Sequence, residues 1–262
     1  MNNWNEIEKN IIDNKIVNYY KHDKCIGQQF IKNGFWFDND IINNIIKKNR
    51  IENKDILDIG AFIGTVSLRA YDLIKHEIDS KIYAFEPRYY ECLEKNINDN
   101  NMNDKIILYK FGLANNNGFI KDHLDNKPDI NNLGAQECIK LHNGINEIKI
   151  DEIIEENNND NNKLELKRLD DLNLNNIGFI KIDVEAMEIE VIKGSIQTLI
   201  RNNYPPIYIE LLAYNKNYND PTKVLYDINS KKVVEILNNL GYTCEPKFVE
   251  GVSADYLFLY NK

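Results

Sequence analysis

The stretch "LDIGAFIGT", residues 57–65, decides the fold class. Apolar, partly β-branched residues around Asp58 form a buried strand type. Gly60 and Gly64 then bracket a tight turn, and a helix starts near Thr65. Glycines here let the backbone approach a ligand, and the helix start offers free N–H groups. The spacing is G-x-x-x-G. The dinucleotide fingerprint has a middle glycine that is missing here. That argues against a pyrophosphate seated on the helix and for a ligand without one.

Working outward, "KIYAFEP" (81–87) reads as the next strand, ending in Glu86. An acid at this strand end, about 20 residues past the glycine turn, can accept both ribose hydroxyls of a nucleoside. An ordinary βαβ unit with a tidy turn is the bland alternative. Loop and acid occur together at a fitting distance, which favours an adenosine-type ligand. Further strands are "KIILYKFGLA", "IGFIKIDVE" and "PPIYIELLAY", with helices such as "GTVSLRAYDLIKH", "YYECLEKNINDNN" and "KKVVEILNNLG" between or after them. The C-terminal "YTCEP" and "ADYLFLYNK" read as an antiparallel pair. Strand–helix alternation implies an α/β fold, a mostly parallel sheet with helices on both faces.

Residues 1–50 read as a helical or lid-like segment, and 51–262 as one domain. Within it, 115–165 is a variable insert. It holds a strand around "NEIKIDEII" and the polar tract "EENNNDNNK", a composition that builds no core.

The chain has 262 residues, 43% of them hydrophobic, enough for a sizeable core. Its abundant Asn, Ile and Lys share AT-rich codons, so the bias reads as a property of the genome. Net charge is −9, the wrong sign for a nucleic-acid footprint. Four scattered cysteines form no C-x-x-C pair, so neither a zinc site nor a disulfide framework is indicated. No run suits a signal peptide or a membrane span. The expectation is a cytoplasmic protein with no nucleic-acid or membrane partner.

"LDIGAFIG", "AFEP", "LDDL", "FIKIDVEAMEIEVIKG" and "IYIEL" follow in that order. Together they resemble the FkbM-type S-adenosylmethionine-dependent methyltransferases, over residues from about 50 to 215. The resemblance implies a Rossmann-like class I methyltransferase fold, seven-stranded with the last strand antiparallel. It implies S-adenosylmethionine as cofactor and O-methylation of a sugar or other small-molecule hydroxyl. It also implies that Asp58, Gly60, Ala61 and Gly64 line the methionine end of the cofactor. Glu86 would hold the ribose, and Gly112 to Ala114 would lie on the adenine side. "NNLGA" (131–135) resembles, more weakly, the family's loop over the active site. One position departs from the family pattern: Ala186 stands where glycine is usual, and slight crowding is expected.

"KIDVEAMEIEVIKG" (181–194) carries four carboxylates. Asp183 ends a parallel strand, at the sheet edge where ligands bind. For a helix continuing to Ile200, Glu185 and Glu188 lie at about +20° and −40° from Ile192, on the apolar face, and Glu190 at about 160°, on the solvated side. Acids in a first helical turn gain about 0.3–1 kcal/mol from the dipole, which does not explain two on the core side. A hydroxyl that accepts a methyl group must lose its proton, and a carboxylate can take it. Asp183 is the first candidate, Glu185 the second, and Glu210 reaches the same edge from the neighbouring strand. Lys181 shares a strand face with Asp183, so an ion pair is expected. The rival role for Asp183, Glu185 and Glu210 is a divalent metal site, though no ligand spacing marks one. The rival functions are a nicotinamide-dependent oxidoreductase and a non-catalytic cofactor-binding protein.

Overall fold

The computed structural model describes residues 5–34, 39–48, 51–122, 129–135, 162–212, 224–249 and 253–261. The strand expected around residues 146–154 and most of the polar tract lie outside them. The chain forms two compact units. One comprises Met1–Lys110 with Leu124–Gln136, the other Phe111–His123 with Glu137–Lys262.

The first unit opens with a correction. Residues expected to be helical form a hairpin, β1 (Ile7–Ile12) and β2 (Lys15–Tyr20), paired antiparallel. Asp13 and Asn14 link the strands with φ of 48° and 62°, the left-handed pair that a two-residue hairpin turn requires. The frequent Asn and Lys residues blur the alternation that marks a strand. Helices α1 (Gly27–Asn33) and α2 (Asn39–Lys48) follow. Next come β3 (Asp55–Ile59), α3 (Thr65–Ile74), β4 (Ile82–Phe85), α4 (Tyr90–Asp99) and β5 (Ile106–Tyr109). The pairs β3–β4 and β4–β5 are parallel, as the alternation requires.

The second unit begins with another correction. "KIILYKFGLA" is not one strand: β5 stops at Tyr109, and β6 (Gly112–Leu113) belongs to a small sheet with β7 (Gly118–Lys121) and β8 (Lys163–Lys167). A continuous apolar run hides such a break. Beyond a 3-10 turn at Leu169–Leu172 lie β9 (Ile177–Ile182), α5 (Glu188–Lys193), α6 (Ile196–Arg201) and β10 (Ile207–Leu211). Then follow α7 (Val224–Asn239), β11 (Tyr242–Glu245) and β12 (Ala254–Tyr260). Strand β9 is parallel to β10, while β12 runs antiparallel to both β10 and β11. The seven strands expected of the fold are present, three in the first unit and four in the second, with the last one antiparallel.

Asparagine serves the corners. Eleven described non-glycine residues have positive φ, and six are asparagines: 14, 53, 101, 173, 176 and 203. A short polar side chain makes Asn the residue with a Cβ that most readily turns left-handed.

Candidate active site

The glycine loop belongs to the first unit. Phe85 at the end of β4 accepts from two loop amides, Gly60 at 3.0 Å and Ala61 at 3.1 Å. Gly60 has φ 80° and Gly64 φ 90°. A Cβ on Gly64 would also lie 2.4 Å from Leu93 Cδ1, so the residue is dictated twice. Asp58 is fully buried and its Oδ2 accepts from Ser67 Oγ at 2.6 Å. It braces the strand against α3. Ala61 is buried too.

Glu86 is the polar centre of this loop. Its Oε2 accepts the Phe62 amide at 2.9 Å, and its Oε1 those of Arg88 and Tyr89 at 2.9 Å each. A carboxylate has about four acceptor positions, so one remains for a ligand hydroxyl. That acceptor fits a ribose hydroxyl of S-adenosylmethionine.

Aromatic rings pack beside the loop. Tyr89 meets Tyr20 and Phe62 edge-on, with centroids 5.4 and 5.2 Å apart. In the "NNLGA" segment, Leu133 is buried in a cluster with Tyr19, Tyr20, Ile63, Tyr89 and Cys92. Asn96 escaped the sequence reading. Its Nδ2 donates to Asn18 O at 3.0 Å and to Ile63 O at 2.7 Å, joining hairpin to loop. The available signal was an amide within the buried stripe Cys92, Leu93, Ile97 of α4.

The second unit holds the carboxylates. Asp183 pairs with Lys181 at 3.1 Å, as expected. Asp183, Glu185 and Glu210 each place an oxygen within 4.8 Å of the others. Burial first, then the charge of Asp183 and a hydrogen bond with it, push the Glu210 carboxyl well up; Lys181 opposes this. Glu210 thus keeps a proton beside Asp183 where free carboxylates have lost theirs.

The helix-phase reading needs two corrections. First, Glu185 is not helical: it and Ala186 have φ of 49° and 80°, and α5 begins at Glu188. Position 186, where glycine is usual, thus has a left-handed backbone. Second, Glu190 is buried, not solvated. The helix breaks at Gly194, where a Cβ would lie 2.0 Å from Ala114 O. Residues past the break cannot define the buried face of α5, and Glu188 to Ile192 are all covered. Glu188 takes the Ala186 amide on Oε1 and Asn229 Nδ2 on Oε2, at 3.0 and 3.1 Å.

Gly112 and Ala114 lie in the second unit. Gly112 pairs with Leu166. Ala114 is buried with Ile120, Leu164, Leu166 and Met187, so its side chain serves packing there. Arg168 pairs with Asp170 and Asp171, in keeping with a structural role. Asp170 also accepts the Thr198 amide of α6 at 2.7 Å. Among the described residues, no helix is long and apolar enough to cross a membrane.

A glycine turn after one parallel strand, an acid ending the next and a final antiparallel strand define a class I methyltransferase fold. The model of the methyltransferase FkbM domain matches residues 58–244. The chain belongs to that family of S-adenosylmethionine-dependent methyltransferases. Its solved likenesses include the FkbM methyltransferase of Methylobacillus flagellatus KT, 16% identical, with TM-score 0.46 over 79% of this chain and 43% of that one. Aeropyrum pernix fibrillarin, with natively bound S-adenosyl-L-methionine, is 12% identical, with TM-score 0.46 over 97% and 99%. An Aquifex aeolicus methyltransferase is 12% identical, with TM-score 0.44 over 86% and 89%. This chain therefore spans less than half of the Methylobacillus protein. No curated protein sequence matches it.

Proposed function

We propose that this protein methylates an oxygen of a sugar or other small molecule. Bound S-adenosylmethionine supplies the methyl group. Glu86 and the turn at Gly60 and Gly64 are assigned to holding it. Asp183 is assigned to the acceptor: it accepts the hydroxyl proton as the new carbon–oxygen bond forms. Lys181 pairs with that carboxylate at 3.1 Å. Glu210, holding its own proton, and Glu185 orient the acceptor. Positioning supplies most of the rate in such a displacement. The observation that carries this reading is the convergence of three carboxylates within 4.8 Å, with Glu210 pushed towards its protonated form beside Asp183. The net charge of −9 favours a neutral acceptor over a nucleic acid. The nicotinamide alternative falls with the family assignment.

The test incubates the protein with methyl-labelled S-adenosylmethionine and a panel of sugars and small hydroxyl compounds. Label on oxygen supports the reading. Label only on nitrogen or carbon overturns O-methylation. Tight cofactor binding without transfer to any member favours the non-catalytic alternative.

A further inference from the structure

Both peptide groups of Ala186 are held by side chains. Its N–H donates to Glu188 Oε1 at 3.0 Å. Its carbonyl accepts from Asn229 Nδ2 at 3.3 Å. The same Nδ2 donates to Glu188 Oε2 at 3.1 Å, closing a ring of three residues. All three are buried. Asn229 comes from α7, 43 residues further on.

The ring surrounds a strained piece of backbone. Glu185 and Ala186 are consecutive residues at positive φ. A non-glycine residue there costs on the order of 1–3 kcal/mol and persists only where its surroundings over-determine it. The strain includes Glu185 itself, whose carboxylate lies within 4.8 Å of those of Asp183 and Glu210. The conformation of Ala186 therefore governs where Glu185 points. A glycine at 186 would remove that residue's share of the strain; alanine needs the clamp.

We propose that Asn229 and Glu188 are positioning residues: by gripping both peptide groups of Ala186 they fix Glu185 against Asp183 and Glu210. The kinetic part rests on the methyl-transfer reading above. The alternative is a brace that adds stability and nothing else.

The test compares Asn229→Ala, Ala186→Gly and the double variant. Amide hydrogen exchange is measured over 183–188, with 207–211 as internal reference. In Asn229→Ala, exchange over 183–188 should rise about tenfold or more while the reference stays unchanged. With an acceptor in hand, kcat per folded molecule should fall about tenfold to a hundredfold, with KM for the methyl donor within about twofold. The double variant should regain most of kcat, because glycine removes the strain at 186. Asn229→Ser, which keeps polarity but not reach, replaces the alanine variant if that fails to fold. Unchanged exchange overturns the clamp. Raised exchange with unchanged kcat, or a double variant no better than Asn229→Ala, overturns positioning and leaves a brace. Should the wild-type protein transfer no methyl group, the methyl-transfer reading fails, and exchange alone still decides the clamp.

Discussion

Asn96 binds Asn18 along both edges of its peptide: Asn96 Oδ1 accepts the Asn18 amide at 2.5 Å, and Asn96 Nδ2 donates to the Asn18 carbonyl at 3.0 Å. A side-chain amide stands in for a neighbouring strand. Because Nδ2 also reaches Ile63 O, the hairpin and glycine loop share one anchor. Asn96→Ala takes a partner from three buried backbone groups; the Asn18 carbonyl keeps Cys92 Sγ at 3.3 Å, and each group left unpaired costs about 1–3 kcal/mol. Partial rehydration lowers the total, and a loss of about 2–4 kcal/mol is expected in denaturant unfolding. A loss below about 0.5 kcal/mol, the range of an ordinary surface change, would show the anchor to be idle.

Glu86→Ala removes the acceptor of three backbone amides and the position left for a ribose hydroxyl. Hydrogen bonds to a charged group are worth about 1.5–3 kcal/mol. Calorimetry should show S-adenosylmethionine binding weakened by about tenfold or more. Equal affinity in the two proteins removes Glu86 from the cofactor site.

Asp183→Asn keeps the shape of the side chain and discards its basicity. Turnover should drop by at least about a hundredfold, while affinity for the methyl donor changes less than about twofold. Unchanged turnover takes Asp183 out of the mechanism.

Burial pushes the Glu188 carboxyl from its ordinary 4.5 up to about 7. The folded protein holds this proton where the unfolded chain has released it. Stability from this group is complete below about pH 4.5 and is lost as pH rises through about 7. Glu188→Gln cannot ionise, so it escapes that loss. The constant cost of swapping the group cancels when two pH values are compared. Relative to wild type, the variant should gain on the order of 3 kcal/mol between about pH 4.5 and pH 8. Denaturant unfolding at both values checks this; a pH-independent difference would falsify the buried titration.

The three clustered carboxylates resemble a cation site, and their surroundings argue against one. Lys181 already brings a positive charge to Asp183 at 3.1 Å. Chelation by EDTA should leave the transfer rate within about twofold. A loss restored by Mg²⁺ or Ca²⁺ would assign the cluster to a metal.

Legibility in the sequence followed the strength of local rules. Gly60, Gly64 and Glu86 lie where strand ends and turns dictate residue type, so the loop and the two strands beside it could be read directly. The first hairpin could not, because Asn10 and Asn18 interrupt the alternation of its strands. The face of Glu190 was misread because phase was carried through Gly194, where α5 ends and the backbone of Ala114 leaves no room for a Cβ. Glu188 read as an inward carboxylate, but its partner Asn229 is distant in sequence and no periodicity links them. Ala186 stood out in the pattern; only its φ shows why.

The asparagine corners have a consequence for the chain before it folds. Six left-handed positions among the described residues carry Asn where glycine would be free of strain. Glycine would also give the denatured chain more conformations to lose, a difference of about 0.4–1 kcal/mol per site. Native strain and denatured-state entropy offset each other at these corners. The asparagine bias thus stiffens the ensemble from which the protein folds, and Asn→Gly exchanges there would redistribute free energy between the two states more than change their difference.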